Sequence, residues 1–319
     1  MQHSNLNARV LRLAGALALP AALLAAGPAL AGPLSNGTGD GQVTIDVGAT
    51  GSFSNANYNP VGPGVAQDSV YSSNIFFRLG NSGARTAFSQ VSGATIVSSD
   101  GHQTTSTFSI GTLDFTLVQT LSDLVNNGVQ TGSELTQSFS FVNRADTALE
   151  FSLARYLDGD LPFGNAGTND GGGMLDFNGR TVLFETDAAT GQNDNSTFLG
   201  IYNEGGEPGS YDVDHYGNLQ ARLIAGQGLR NQITNDNNGD GFIDAGSGYD
   251  VALSLENLFS LGAGQQGNFT THTIFGSGTP GSVSVPGAVP EPASWAMMIA
   301  GLGIVGAAQR RRIKKLSFA

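Results

Sequence analysis

The 319-residue sequence predicts an all-β protein, an antiparallel β-sandwich with a barrel as the second choice, and three observations carry that expectation. Gly accounts for 46 residues, about twice the usual share, and only 13% of residues are charged, which disfavours long solvated helices. Short apolar/polar alternations recur along the chain while helical periodicity is scarce. Gly, Asn and Asp clusters punctuate these runs at the spacing of turns. Cys is absent, which excludes disulfide scaffolds, thiolate metal sites and cysteine nucleophiles together.

Val43, Ile45 and Val47 form a first strand bounded by Gly41 and Gly48, and Ile75–Phe77 and Ala94–Val97 read as short buried strands. Phe108 and Ile110, then Leu113, Phe115 and Leu117, flank a turn at Gly111-Thr112. Leu135, Gln137, Phe139 and Phe141 make one further alternating face, and Leu149, Phe151 and Leu153 make another. Between them Asn143-Arg144-Ala145-Asp146 is polar and turn-forming, which predicts a hairpin. Later strands are expected at Thr181–Phe184, Phe198–Tyr202, Val251–Leu255 and Phe269–Phe275. One short helix is expected over Asn218–Ala225, with Asn218 as its cap and Gly226 as its stop. No repeat of fixed period is visible, which argues against a propeller or β-helix.

Residues 1–31 read as a secretory signal peptide: Arg9 and Arg12, an apolar stretch from Leu13 to Leu24, and a cleavage site at Ala29-Leu30-Ala31. The β domain is expected over 32–275 and a Gly/Pro/Ser linker over 276–289. Beyond it, Pro290-Glu291-Pro292 precedes sixteen uncharged residues, Ala293–Ala308, and a basic cluster over 310–315 that includes Arg310, Arg311 and Arg312. As a helix that segment would be about 24 Å long against about 30 Å of hydrocarbon, a short single span helped by interfacial Trp295. The basic cluster leaves the tail cytoplasmic and the domain outside.

This region resembles the PEP-CTERM sorting signal in its Pro-Glu-Pro motif, its small-residue span and its terminal Arg cluster. The resemblance implies recognition by a membrane-embedded exosortase in a Gram-negative bacterium, removal of the tail after signal peptidase has acted at the other end, and delivery to the outer surface or extracellular matrix.

Between these segments the charge differs from the whole-chain value of −12. Seven of the 14 basic residues and one of the 26 acids lie in the processing segments, so residues 32–290 carry 25 acids against seven Arg, a formal −18, with no Lys and no Trp. Such a surface repels nucleic acid and anionic lipid and attracts divalent cations.

Two acidic groups carry candidate chemistry. Asp236, Asn238, Asp240, the Phe242 carbonyl and Asp244 match the first nine positions of an EF-hand-type loop, so Ca²⁺ is the cofactor expected there, set against a solvated Asn/Gly turn. Ser247 stands where the bidentate acid belongs. Asp158-Gly159-Asp160, with Asn169-Asp170 shortly after, offers a carboxyl pair for glycosidic acid/base chemistry or a turn. Asp212, Asp214 and His215 read as a polar loop, and His102, His215 and His272 form no metal spacing. No nucleophile elbow, Walker loop or dinucleotide fingerprint is present. The leading expectation is therefore an exosortase-sorted surface or matrix protein without catalysis, associated with biofilm or exopolysaccharide. The alternatives are an extracellular carbohydrate-active enzyme using acidic residues and a calcium-stabilised adhesin.

Overall fold

The computed structural model describes residues 30–62, 64–161, 170–177, 180–187, 197–244 and 249–278. Within them, eighteen strands and one α-helix build two facing, almost entirely antiparallel sheets. In chain order the strands are β1 (Leu30–Ser35), β2 (Val43–Gly48), β3 (Phe53–Tyr58), β4 (Gln67–Asp68), β5 (Val70–Leu79) and β6 (Thr86–Ala87). After a 3-10 turn at Phe88–Gln90 come β7 (Thr95–Ser99), β8 (Gln103–Ile110), β9 (Leu113–Asn126), β10 (Val129–Asn143) and β11 (Leu149–Gly159). Next are β12 (Gly171–Phe177), β13 (Arg180–Thr186), β14 (Thr197–Glu204), β15 (Glu207–His215) and the helix α1 (Tyr216–Ile224). The last three are β16 (Gln232–Ile233), β17 (Val251–Leu261) and β18 (Gln266–Ser277).

The first sheet runs β1-β2-β3-β5-β11-β17-β15-β16, with β4 and β6 attached to β3 and β5; the second runs β12-β13-β14-β18-β10-β9-β8-β7. The sandwich expected from the alternation is thus present. Ala31, at the expected cleavage site, lies in β1 and is buried. Residues 1–29, Ala29 among them, and the whole of the sorting signal from Pro290 lie outside the described residues. Among the described residues no helix is long and apolar enough to cross a membrane.

One strand pairing differs from expectation. The polar segment Asn143–Asp146 does not close a hairpin: β10 pairs with β9 and β18, and β11 pairs with β5 and β17, so the chain crosses here from one sheet to the other. Both strands carry an apolar face either way, and alternation alone does not say whether the two faces share a sheet or oppose each other. The crossing is pinned by Asn143, whose amide donates to the carbonyls of Thr147 (2.8 Å), Leu261 (3.2 Å) and Gly262 (3.1 Å). A tight hairpin instead joins β9 to β10 at Asn127-Gly128, where φ of +51° and +80° suits the Asn-Gly pair of a two-residue turn.

The space between the sheets is filled in two parts. At one end Phe115, Phe139 and Phe141 of the second sheet meet Phe151 and Phe259 of the first, with Phe88 of the 3-10 turn edge-on to three rings at 5.3–5.7 Å. Each such ring contributes about 1.5–3 kcal/mol by leaving water. The other part is mostly aliphatic and includes Val43, Ile45, Leu157, Leu183, Leu199 and Leu253. On the outer face of the first sheet, α1 lays Leu219 and Leu223 over Phe76, Ala154, Tyr156 and Ala252. The helix starts two residues earlier than expected, capped by His215, whose Nδ1 accepts from the Gly217 amide (3.3 Å), rather than by Asn218. Gly226, at φ +71°, ends it as expected.

Candidate active site

Strands β11 and β17 run the length of the sandwich, and at the end away from the phenylalanines they meet β12 and β13. Alternation on β11 points Leu153, Arg155 and Leu157 inward and Tyr156 and Asp158 outward. Asp158 is only 2% exposed, and its Oδ2 accepts a hydrogen bond from the Tyr156 hydroxyl at 3.1 Å. The ladder slips by one residue between Asp158 and Gly159. There the Gly159 amide donates to Glu185 Oε2 at 3.1 Å. A Cβ at position 159 would fall 1.7 Å from Glu185 Oε1, so this approach requires glycine.

Glu185 sits on the inward phase of β13 and is fully buried. Asp170, immediately before β12, is fully buried as well; its backbone exchanges two 3.0 Å hydrogen bonds with Tyr249, which puts Asp250 beside it. Both Asp170 carboxyl oxygens and Glu185 Oε1 lack a hydrogen-bond partner among the described residues. Asp160 lies just past β11 and is exposed.

These acids repel one another in a poorly solvated place. Burial pushes the Asp158 carboxyl up from 3.8 to about 7, with Asp250 and Asp160 adding to the shift against the Tyr156 hydrogen bond. Burial also raises Asp170, which Asp250 reinforces, and holds Glu185 well above the carboxylate range, which Asp170 and Asp158 reinforce. Asp160 and Asp250 are raised too, again chiefly by burial. No arginine or lysine is among the causes of any of these shifts. An uncompensated buried carboxylate protonates rather than stay charged, so the cluster holds protons near neutral pH.

An open groove adjoins this cluster. Strands β3 and β5 share a single register pair, Phe53 with Ser73, and they diverge from it. The divergence leaves a cavity of about 480 Å³ whose walls include Asp46, Phe53, Ser54, Asn55, Ser72 and Asn74. Ser72 is the cross-strand partner of Asp158 on β11. Directly opposed side chains stand about 4.5–5.5 Å apart at Cβ, so the groove wall and the protonated carboxyl are neighbours.

Beneath the groove lies Arg155, fully buried. Its guanidinium donates to Ser73 Oγ (2.8 Å), the carbonyls of Asn74 (3.2 Å) and Tyr156 (2.8 Å), and Thr273 Oγ1 of the opposite sheet (3.0 Å). It sits 5.5 Å over the Phe53 ring, and burial lowers its pKa to about 9.

The acids expected to work together are only partly assembled: Asp158 is inside the cluster, Asp160 at its exposed margin. Glu185 and Asp250 escaped the sequence reading. The readable signal for Glu185 was an acid in phase with Leu183 on an otherwise apolar strand.

In the Asp236–Asp244 loop the side chains turn to the loop's own amides. Asp236 accepts from Gly239, Asp240 and Gly241, Asp240 from Phe242, and Asp244 from Asn237, at 2.8–3.1 Å. The loop is fastened to β12 by Met174 N to Gly241 O (2.8 Å) and Ile243 N to Gly172 O (2.9 Å). Ser247 lies outside the described residues. Among the described residues no group of three or more His, Asp or Glu side chains is arranged to hold a metal ion.

Asp212 and Asp214 form ion pairs with Arg222 and Arg230 at 2.7–3.5 Å, a structural network around α1. His102 is exposed, and His272 is stacked on Tyr202 at 4.1 Å and lies 3.2 Å from Glu134.

Among solved structures the chain is similar to a bacterial glucoamylase complexed with acarbose (10% identity, TM-score 0.49, covering 79% of this chain and 33% of that one). It is also similar to a polysaccharide lyase (14%, TM-score 0.39, 80% and 33%) and to a galactose mutarotase-like protein from Lactobacillus casei (9%, TM-score 0.40, 76% and 100%). The chain spans a third of the length of the first two. At these identities and TM-scores the likenesses assign no activity. The expectation of a domain without catalysis is not upheld: the solved structures that the chain is similar to include a glucoamylase and a polysaccharide lyase. No curated protein matches the chain. The family model described as the PEP-CTERM protein-sorting motif matches residues 288–312, which include the Pro290-Glu291-Pro292 motif and Arg310–Arg312. The chain thus carries the PEP-CTERM protein-sorting motif, which indicates export and processing by an exosortase.

Proposed function

We propose that the exported domain is delivered to the outer surface or matrix and there performs acid–base chemistry on an extracellular carbohydrate, with Asp158 as the general acid. The observation that carries this reading is a buried carboxyl, its pKa pushed up to about 7, directly across the ladder from the wall of an open groove. A carboxylic acid at that point can hand its proton to an oxygen of a substrate lying in the groove, and general acid catalysis of this kind contributes roughly 10²- to 10⁴-fold. Once the proton has left, the Tyr156 hydroxyl, already donating to Asp158 Oδ2, stabilises the carboxylate. The negative field of Asp250 and Asp160 then favours reprotonation. Exposed Asp160 is the acid placed to activate water or to steady positive charge on the sugar. Chemistry of this type needs neither a thiol nor a metal, which suits a chain without Cys.

Turnover on a glycan panel tests the assignment. Asp158→Asn is expected to reduce turnover by roughly a hundredfold or more while the protein stays folded; wild-type turnover retained in Asp158→Asn would overturn it. The processing half is tested by mass spectrometry of the surface form, from which peptides spanning Trp295 to Lys315 are expected to be absent; their recovery would contradict tail removal.

A further inference from the structure

Resting on the reading above, we infer that the groove between β3 and β5 is a binding subsite for uncharged sugars and selects against uronic acids. Its polar wall is made of small hydroxyl and amide side chains, Ser54, Asn55, Ser72 and Asn74. The hydroxyls of Ser54 and Ser72 have no intramolecular partner among the described residues, which leaves them free to donate to and accept from sugar hydroxyls. Asn74 is held in place: its amide donates to Ser89 Oγ at 2.6 Å and its Oδ1 accepts from the Ile75 amide at 2.9 Å. Its Oδ1 also accepts from the Ser89 amide at 3.3 Å, so the remaining amide N–H is the preset group, a donor whose fixed position lowers the ordering cost of binding. The groove's volume, about 480 Å³, is in the range of small-molecule sites.

The charge selection follows from what the groove has and lacks. Among the described residues Asp46 is the only charged one in its lining. Arg155, whose guanidinium touches the groove wall at Ser73 and Asn74, is fully buried, with its terminal nitrogens committed to Ser73, Asn74, Tyr156 and Thr273. A carboxylated sugar would therefore meet the Asp46 carboxylate and no free cation, whereas a neutral one would meet hydrogen-bonding side chains beside the apolar surface of Pro33, Val47 and Phe53.

Calorimetric binding at pH 7 of a panel of neutral hexose tetrasaccharides and the corresponding uronate tetrasaccharides to the full-length protein tests the inference. At least one neutral tetrasaccharide is expected to bind, with its uronate counterpart at least tenfold weaker. Ser54→Trp, a substitution at an exposed wall position, is expected to weaken neutral binding at least tenfold, and Asn55→Ala several-fold. Asp46→Asn is expected to narrow the difference between neutral and uronate ligands. Uronates binding as tightly as neutral sugars, no neutral sugar binding at all, or Ser54→Trp binding like wild type would each overturn it. Asp158→Asn separates the two readings: neutral binding together with turnover undiminished in this variant leaves the subsite standing and removes the catalytic assignment. Loss of turnover in Asp158→Asn, with Ser54→Trp binding unchanged, does the reverse.

Discussion

The two ends of the sandwich are built from the same strands and opposite chemistry. At the Phe151 end of β11, nine phenylalanine side chains from both sheets and the 3-10 turn pack together, and they need no hydrogen-bond partner. At the Asp158 end, about 24 Å away along an extended strand, carboxyls are buried with oxygens unpartnered and with no arginine or lysine beside them among the described residues. The contrast teaches a division of labour. Removing apolar surface from water supports the fold at one end, and that surplus tolerates an electrostatically unfavourable cluster at the other. Buried groups that a fold would be more stable without are a mark of function.

The largest effect is expected from breaking the aromatic end. Phe141 touches Phe115, Phe151 and Phe259 across the two sheets, so Phe141→Ala should cost about 3–5 kcal/mol, read from denaturant unfolding. The carboxyl end should respond with the opposite sign. Asp170→Asn removes a buried carboxyl that has no hydrogen-bond partner among the described residues and should stabilise at pH 8 by on the order of 2 kcal/mol, with little effect at pH 4.

The same asymmetry sets the pH dependence. The folded pKa of Asp158 is raised from 3.8 to about 7, so the folded state binds more protons than the unfolded one. Its contribution to stability is fully present below pH 3.8 and is lost as pH rises through about 7; Asp170 and Glu185, raised as well, act in the same direction. Melting temperature measured across this range should fall for wild type and fall less for Asp170→Asn.

Asn143→Ala, which frees three carbonyls where the chain changes sheets, should cost about 1–3 kcal/mol, measured the same way. The smallest effect belongs to the exposed Arg144–Asp114 pair, where Arg144→Ala should change stability by no more than about 0.5 kcal/mol.

Much of the aromatic end was legible in the sequence, because strict alternation at Leu113–Leu117, Leu135–Phe141 and Leu149–Leu153 assigns each phenylalanine to an inward face. Pairing was less legible: the Asn143–Asp146 segment has the composition of a hairpin turn, yet its strands belong to different sheets. The carboxyl end was harder still. Asp158 and Asp160 drew notice as neighbours in sequence, but Glu185 and Asp250 join them only through long-range pairing, which no local pattern encodes. The helix cap at His215 was missed for a similar reason, since Asn218 has the stronger capping preference and the end of β15 fixes where the turn begins.

The protonation of Asp158 is reported most directly by its carboxyl carbon resonance in ¹³C-labelled protein, titrated by NMR and assigned through Asp158→Asn. A midpoint near 7 is the result expected from its burial among Asp250 and Asp160; a midpoint near 3.8 would contradict the assignment of Asp158 as a general acid.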